Sequence, residues 1–420
     1  MNLFEQQNGF NPIGGVIWGK NNELYCATTA GGDHNGGTIS MVTLNGIVTI
    51  FSFSYENGTV PYARPLYDEN ANCLYGTTTS GGQHNFGTIY SFNLTDKSYT
   101  LLYSFDGASG IIPVCSLILE NNKLYGCCAL TSWFEFGLDY GGNIFSISAD
   151  GSNFMVLHSF TGLDGLVPIS PLTLYNSALY GTTVIGGAHD FGIIFRIGLD
   201  GNNFETIHSF TKYNGGHPLG SLVVKNDVIY GVGMIGKHAE FGGCVYSFSI
   251  TNNFLNILRT FKANIYGAQP YGGLILNGDF AYGICTTSGS RGAGTIYSIN
   301  VKTNGFKLLR AFHGTGDGST PSGKMLFNSD KTKLFGTLYS GSFGDNGSIF
   351  SYDFKTKLVN IFPFTGVASN LQLSVSAKKN NAEIEIKTNV EPVQTNSKLN
   401  LLNKLLPPSI IKSLALKAKK

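Results

Sequence analysis

The chain has 420 residues, of which 55 are glycine and only 13% are charged, and its formal net charge is +2. Soluble domains carry about 25% charged residues and about 7% glycine. A coiled coil is therefore excluded by the low charge, a disordered chain by the 42% hydrophobic content, and capture of nucleic acid by the whole chain by the small net charge.

The chain opens with MNLFEQQNGFNPIGG, which has an acid at Glu5, no basic cluster and no apolar run, so no secretory signal is expected. No stretch approaches the ~18 apolar residues that span a bilayer. A cytoplasmic location is expected, or a virion were the source viral. Asn2-Leu3-Phe4 matches the end of a later strand, because Phe4 to Val16 has the spacing of Phe105 to Leu117. This stub is predicted to pair at the edge of the last repeat. The seven cysteines are odd in number and form no CxxC pair, so free buried thiols are expected.

From about residue 10 the sequence repeats. LYG or a close variant recurs at Tyr25, Tyr75, Tyr125, Tyr180, Tyr230, Tyr282 and Phe335, with spacings of 50, 50, 55, 50, 52 and 53 residues. Such a period overrides the two or three domains that length alone suggests. The second copy shows the unit best. RPLYD (64–68), CLYGTTT (73–79), GTIYSFN (87–93) and SYTLLYSF (98–105) are rich in β-branched and aromatic residues, with turn formers between them. The third link becomes Asp150-Gly151 and Asp200-Gly201 in later copies, a tight-hairpin dipeptide. Seven units of four antiparallel strands predict an all-β, seven-bladed β-propeller over residues 1–365. Its inner strands would meet neighbouring blades instead of water, which explains the scarcity of charge.

The WD dipeptide is absent, and a kelch-like phase of the GG doublet lacks the kelch tryptophan. The strings LYGTTTSGGQHNFGTIYSF (74–92) and LYGTTVIGGAHDFGIIF (179–195) resemble the GloVer (Gloeo/Verruco) tandem repeat. That resemblance implies a propeller-like repeat protein. Copy one departs from it with Cys26 in place of the glycine, copy three carries an insertion at 131–140, and copy seven lacks the GG.

Loops after the second strand carry GGDHNG, GGQHNF, GGAHDF and GKHAEF, so His34, His84, His189 and His238 recur near one position, with Arg291 in copy six. They read either as ligand contacts or as imidazoles bonded to neighbouring backbone. Equivalent loops of separate blades stand too far apart for zinc, whose ligands lie within about 2.3 Å of one centre. Neither a metal nor a cofactor is expected. The insertion places Trp133 and Phe134 in an aromatic cluster suited to a partner or a sugar, or to local packing. The first strands, expected to line the channel, begin Gly14-Gly15, Ala63-Arg64, Cys115-Ser116, Ser170-Pro171, Gly220-Ser221, Gly272-Gly273 and Gly323-Lys324, with no acid among them. A glycosidase needs two carboxylates about 5 to 9 Å apart. A non-catalytic role is the expectation.

Residues 366–420 carry +6 and leave −4 on the body. LQLSVSA and AEIEIKTNV predict a β-hairpin over 366–395, and 396–420 a basic amphipathic helical tail in which Lys404, Lys412, Lys417, Lys419 and Lys420 would serve attachment. The leading expectation is a binding scaffold whose loop face recognises a protein partner or a glycan. Nucleic acid or an acidic membrane would be reached only through the tail. A carbohydrate-binding or carbohydrate-cleaving propeller, or a structural component of a larger particle, viral or not, are the rivals.

Overall fold

The computed structural model describes residues 9–364 apart from 44–45, 135–136, 140, 237–241, 315 and 341–345. The chain divides into two units, Met1–Ser369 and Asn370–Lys420. The stub at 2–4 and the hairpin and tail predicted over 366–420 lie outside the described residues.

Repeat two shows how the sequence makes a blade. Its strands Leu66–Asp68, Cys73–Thr78, Thr88–Asn93 and Tyr99–Ser104 pair antiparallel in chain order. Turn chemistry sets the hairpins: Asn72 and Lys97 take left-handed φ of 50° and 62°, and the Asn93 side chain accepts from the Thr95 amide at 2.8 Å. Across the second and third strands Gly76 lies opposite Tyr90. A Cβ on that glycine would stand 2.3 Å from the Tyr90 hydroxyl, so the LYG glycine is the space that the ring occupies. The same holds for Gly126, Gly181, Gly231, Gly283 and Gly336, where the clash would be with Phe145, Phe195, Tyr246, Tyr297 and Phe350. Repeat one is the exception that explains the rule, because Cys26 faces Ser40 there and no ring needs room.

Consecutive repeats are locked by a recurring joint. Asn11, Val60, Ile112, Val167, His217, Gln269 and Thr320, each directly before a proline, all have φ between 53° and 60°. Each donates its amide to a carbonyl of the preceding repeat at 2.8–3.3 Å; for Asn11 that carbonyl is Asn346 of repeat seven. A glycine with φ of 80–100° meets each proline so closely that a Cβ would come within 2.3–2.9 Å of the proline Cδ, from Gly37 on Pro61 round to Gly347 on Pro12. The phenylalanine that ends each fourth strand is at most 3% exposed at all seven sites from Phe53 to Phe364. In six joints it packs on the central ring of the next repeat, as Phe261 does on Tyr297 at 4.8 Å between centroids. Burying such a ring contributes roughly 1.5–3 kcal/mol. Phe364 instead joins Val16, Leu24 and Cys26 of repeat one. Trp18 Nε1 adds a bond to the Phe327 carbonyl at 2.7 Å, so repeats seven and one also pack together.

The expected seven separate four-stranded blades are corrected by the strand pairing. Repeats one (16–52), two (66–104), four (173–209) and seven (319–363) each form a four-stranded sheet, and repeat three forms a five-stranded one because its first strand is split into Ile111–Pro113 and Ile118–Glu120. Five blades therefore stand as sheets of their own. Repeats five and six merge into one eight-stranded sheet through the parallel pair Ser221–Gly273. A Cβ on Gly220 would lie 2.2 Å from the Gly273 amide, so the backbones of the two inner strands touch there, where glycine leaves the room. Helix among the described residues is limited to a 3-10 turn at Lys20–Asn22 and one turn at Ala263–Tyr266. The amphipathic helix predicted over 396–420 lies outside the described residues. Among the described residues no helix is long and apolar enough to cross a membrane. All seven cysteines are free, and every one but the half-buried Cys73 is buried.

Candidate functional site

The GG loops share one frame. In repeats one, two and four the first glycine amide donates to an Asx side chain four residues on: Gly31 to Asn35 at 3.0 Å, Gly81 to Asn85 at 2.9 Å and Gly186 to Asp190 at 3.0 Å. A serine of the fourth strand accepts from the residue after the doublet, as Ser104 does from Gln83 at 2.9 Å. The imidazole bond to backbone, weighed from sequence, is thus supplied by the Asx side chain. His34, His84 and His189 are exposed on this frame, and none has a hydrogen-bond partner among the described residues. They stand on different repeats. His238 lies outside the described residues, and Arg291 is exposed in the corresponding turn of repeat six. Trp133 and Phe134 lie on Ser132–Phe134, which pairs with Gly137–Asp139 as a separate two-stranded hairpin. The tail lysines 404, 412, 417, 419 and 420 lie outside the described residues. Among the described residues no group of three His, Cys, Asp or Glu side chains is placed to hold a metal.

The acids of the blade-linking loops are engaged locally. Asp106 accepts from the amide and hydroxyl of Ser109, and those bonds hold its carboxyl below the usual range. Asp164 bonds His158 at 2.9 Å and the Thr161 amide at 2.7 Å. Burial acts to raise its carboxyl, but these bonds outweigh it and leave it lowered. Asp317 pairs with Arg310 and His313, and burial still raises it. His217 is buried with Nδ1 at 2.9 Å from the Val184 carbonyl, and burial pushes it down. Each acid closes its own loop.

The first strands surround a central cavity of 130 Å³. Gly14, Ala63, Ser116, Pro171, Gly220, Gly272 and Gly323 line it, as their position in the repeat predicts. Two cations stand among these small residues, Arg64 of repeat two and Lys324 of repeat seven. Neither has an ion-pair or hydrogen-bond partner among the described residues. Burial lowers both; Lys324, with the charge of Arg64 as second cause, is pushed down to about 8. Tyr62 and Tyr271, from repeats two and six, meet with their hydroxyls 2.8 Å apart, and burial raises both so that they stay protonated. Ser221 Oγ lines the same space, buried and without a partner. No carboxylate is among the lining residues. Sequence reasoning put Arg64 and Lys324 on the channel and gave them no role. The signal was available, since they alone are charged at a position that is Gly, Ser or Pro in the other five copies.

A propeller of tandem GG-loop repeats is the class that this architecture defines. The Gloeobacter/Verrucomicrobia repeat model matches residues 1–134, 48–242 and 129–350, and the chain belongs to that family. No curated protein matches it in sequence. Among solved structures it is similar to an oligogalacturonate lyase from Vibrio parahaemolyticus, at 14% identity over 83% of this chain and 90% of that one, with a TM-score of 0.54. It is also similar to a puromycin-hydrolyzing peptidase from Mycobacterium tuberculosis, at 11% identity over 89% of this chain and 56% of that one, with a TM-score of 0.56. At these identities the likeness shows the fold alone.

Proposed function

We propose that this chain is a binding propeller without catalytic activity, recognising a protein partner through its loop face. The observation that carries this reading is the repeated loop of repeats one, two and four, which holds an exposed and unbonded imidazole on an Asx-closed frame. Fixed loops that present polar side chains on a rigid scaffold are a common basis of recognition. Of the carboxylates in the blade-linking loops, Asp106, Asp164 and Asp317 are each engaged within their own loop. Arg291 and the hairpin bearing Trp133 and Phe134 extend the same recognition role, with His238 in the fourth loop. The basic residues Lys404, Lys412, Lys417, Lys419 and Lys420 serve attachment.

The test is a triple variant, His34→Ala with His84→Ala and His189→Ala, compared with the parent chain for melting temperature and for binding to a partner obtained by affinity capture. Unchanged melting with binding weakened about tenfold or more supports the reading. Binding equal to the parent removes the histidines from it. The glycan alternative rests on the separate aromatic hairpin: binding on a glycan array that disappears in Trp133→Ala would replace the protein partner by a sugar.

A further inference from the structure

We propose that the central cavity is a binding site for a compact dianionic oxyanion, held between Arg64 and Lys324. This site is independent of the loop face. Cations partly withdrawn from water are usually paired or bonded, because an uncompensated charge away from water is costly. Arg64 and Lys324 are half-buried, and both line one cavity with no carboxylate in its wall and no partner of their own among the described residues. They lie close enough for the charge of Arg64 to act on Lys324, so they repel each other as well. The missing counter-charge is then one that the protein takes up from outside.

The neutral groups agree with that sign. Ser221 Oγ is buried, lines the cavity and bonds nothing. Whichever of Tyr62 and Tyr271 donates in their mutual bond, the other keeps a hydroxyl proton to offer. The wall therefore supplies a guanidinium fork, an ammonium and hydroxyl donors, a set that matches the oxygens of a phosphate or a small dicarboxylate. Size limits the ligand. A cavity of 130 Å³ is close to one of about 150 Å³ that admits benzene, so about six non-hydrogen atoms fit. The tyrosine bond joins repeats two and six across the ring of first strands, which suits a small ion better than a chain threading the channel.

The full chain would be titrated calorimetrically at pH 7 and constant ionic strength with inorganic phosphate, with malonate and with chloride. Saturable binding of phosphate or malonate with Kd below about 1 mM is expected, and none for chloride. Phosphate alone assigns a phosphate site; malonate alone assigns a carboxylate site. Lys324→Met and Arg64→Met should each weaken binding about tenfold or more while raising the melting temperature without anion, because each removes an uncompensated cation. Should Arg64→Met fail to fold, Lys324→Met decides against Lys324→Arg, which keeps the charge and should stay within about threefold of the parent. The proposal is overturned if neither anion saturates by about 10 mM, or if Lys324→Met binds as the parent does.

Discussion

The joints between repeats and the wall of the channel are built from the same seven units, yet they treat repetition in opposite ways. At the joints every copy uses the same parts: a left-handed residue before proline, a glycine against that proline, and a buried phenylalanine. Backbone amides there find carbonyls in every copy. Along the channel the equivalent positions diverge into Gly15, Arg64, Ser116, Pro171, Ser221, Gly273 and Lys324, and polar atoms are left without partners. Architecture needs seven alike, whereas a ligand inside a ring needs the copies to differ. Departures from the repeat are thus the better guide to chemistry.

The largest effect should come from breaking a joint. Gly142→Ala puts a Cβ 2.4 Å from Pro168 Cδ at a backbone φ of +80°, and a loss of about 3 kcal/mol in urea unfolding is expected. Next in size is a transplant of the solution found in repeat one. Gly181→Cys and Phe195→Ser should each destabilise by about 2–4 kcal/mol, the first by a clash at 2.4 Å and the second by an empty space. Combined, they should cost about 1 kcal/mol or more less than their sum, because together they recreate the pair Cys26 and Ser40. Strict additivity would mean that glycine and ring are not one device.

On the channel side the comparison is sharpened by pH. Lys324 is pushed down to about 8 from an ordinary 10.5, so between those values the unfolded chain holds more protons than the folded one. Stability contributed by this group therefore rises with pH across that window. Arg64 stays charged throughout, and Tyr62 and Tyr271 are raised, which acts in the opposite direction at the alkaline end. The measurement is the difference between the parent and Lys324→Met in unfolding midpoint at about pH 7.5 and about pH 10, roughly the two ends of the window. The parent should gain on the variant as pH rises. The smallest effect is Thr320→Asn, which puts a residue tolerant of φ near 54° where a β-branched one now sits and should stabilise by about 0.5–1 kcal/mol in the same urea assay.

Much of the repeat architecture was legible because it rests on side-chain identity at fixed spacing. The LYG glycine, the GG doublet and the proline that opens each unit all answer to a clash or a turn that only those residues satisfy. The continuity of repeats five and six was not legible, because it depends on one backbone pair, Ser221 with Gly273, and glycines 14–15 and 323 look similar at another joint. The loop histidines could be aligned from sequence, but their freedom could not, since the Asx residue beside them proves to carry the loop. Arg64 and Lys324 were legible as channel residues. Tyr62 and Tyr271 were not, because they precede the strands whose period gave the register, and their meeting belongs to the ring and to no single repeat.

The joint between repeats seven and one has a further consequence. Asn11 bonds Asn346 and Gly347 meets Pro12 across a place where no peptide chain runs from one repeat to the next. A linear array of repeats can fray from its ends one unit at a time, because each unit touches only its neighbours. An array closed in this way has no terminal unit to lose first, and opening any joint exposes buried faces on both sides at once. The propeller is expected to melt as one cooperative unit, with the noncovalent seam between repeats seven and one as the place where separation begins.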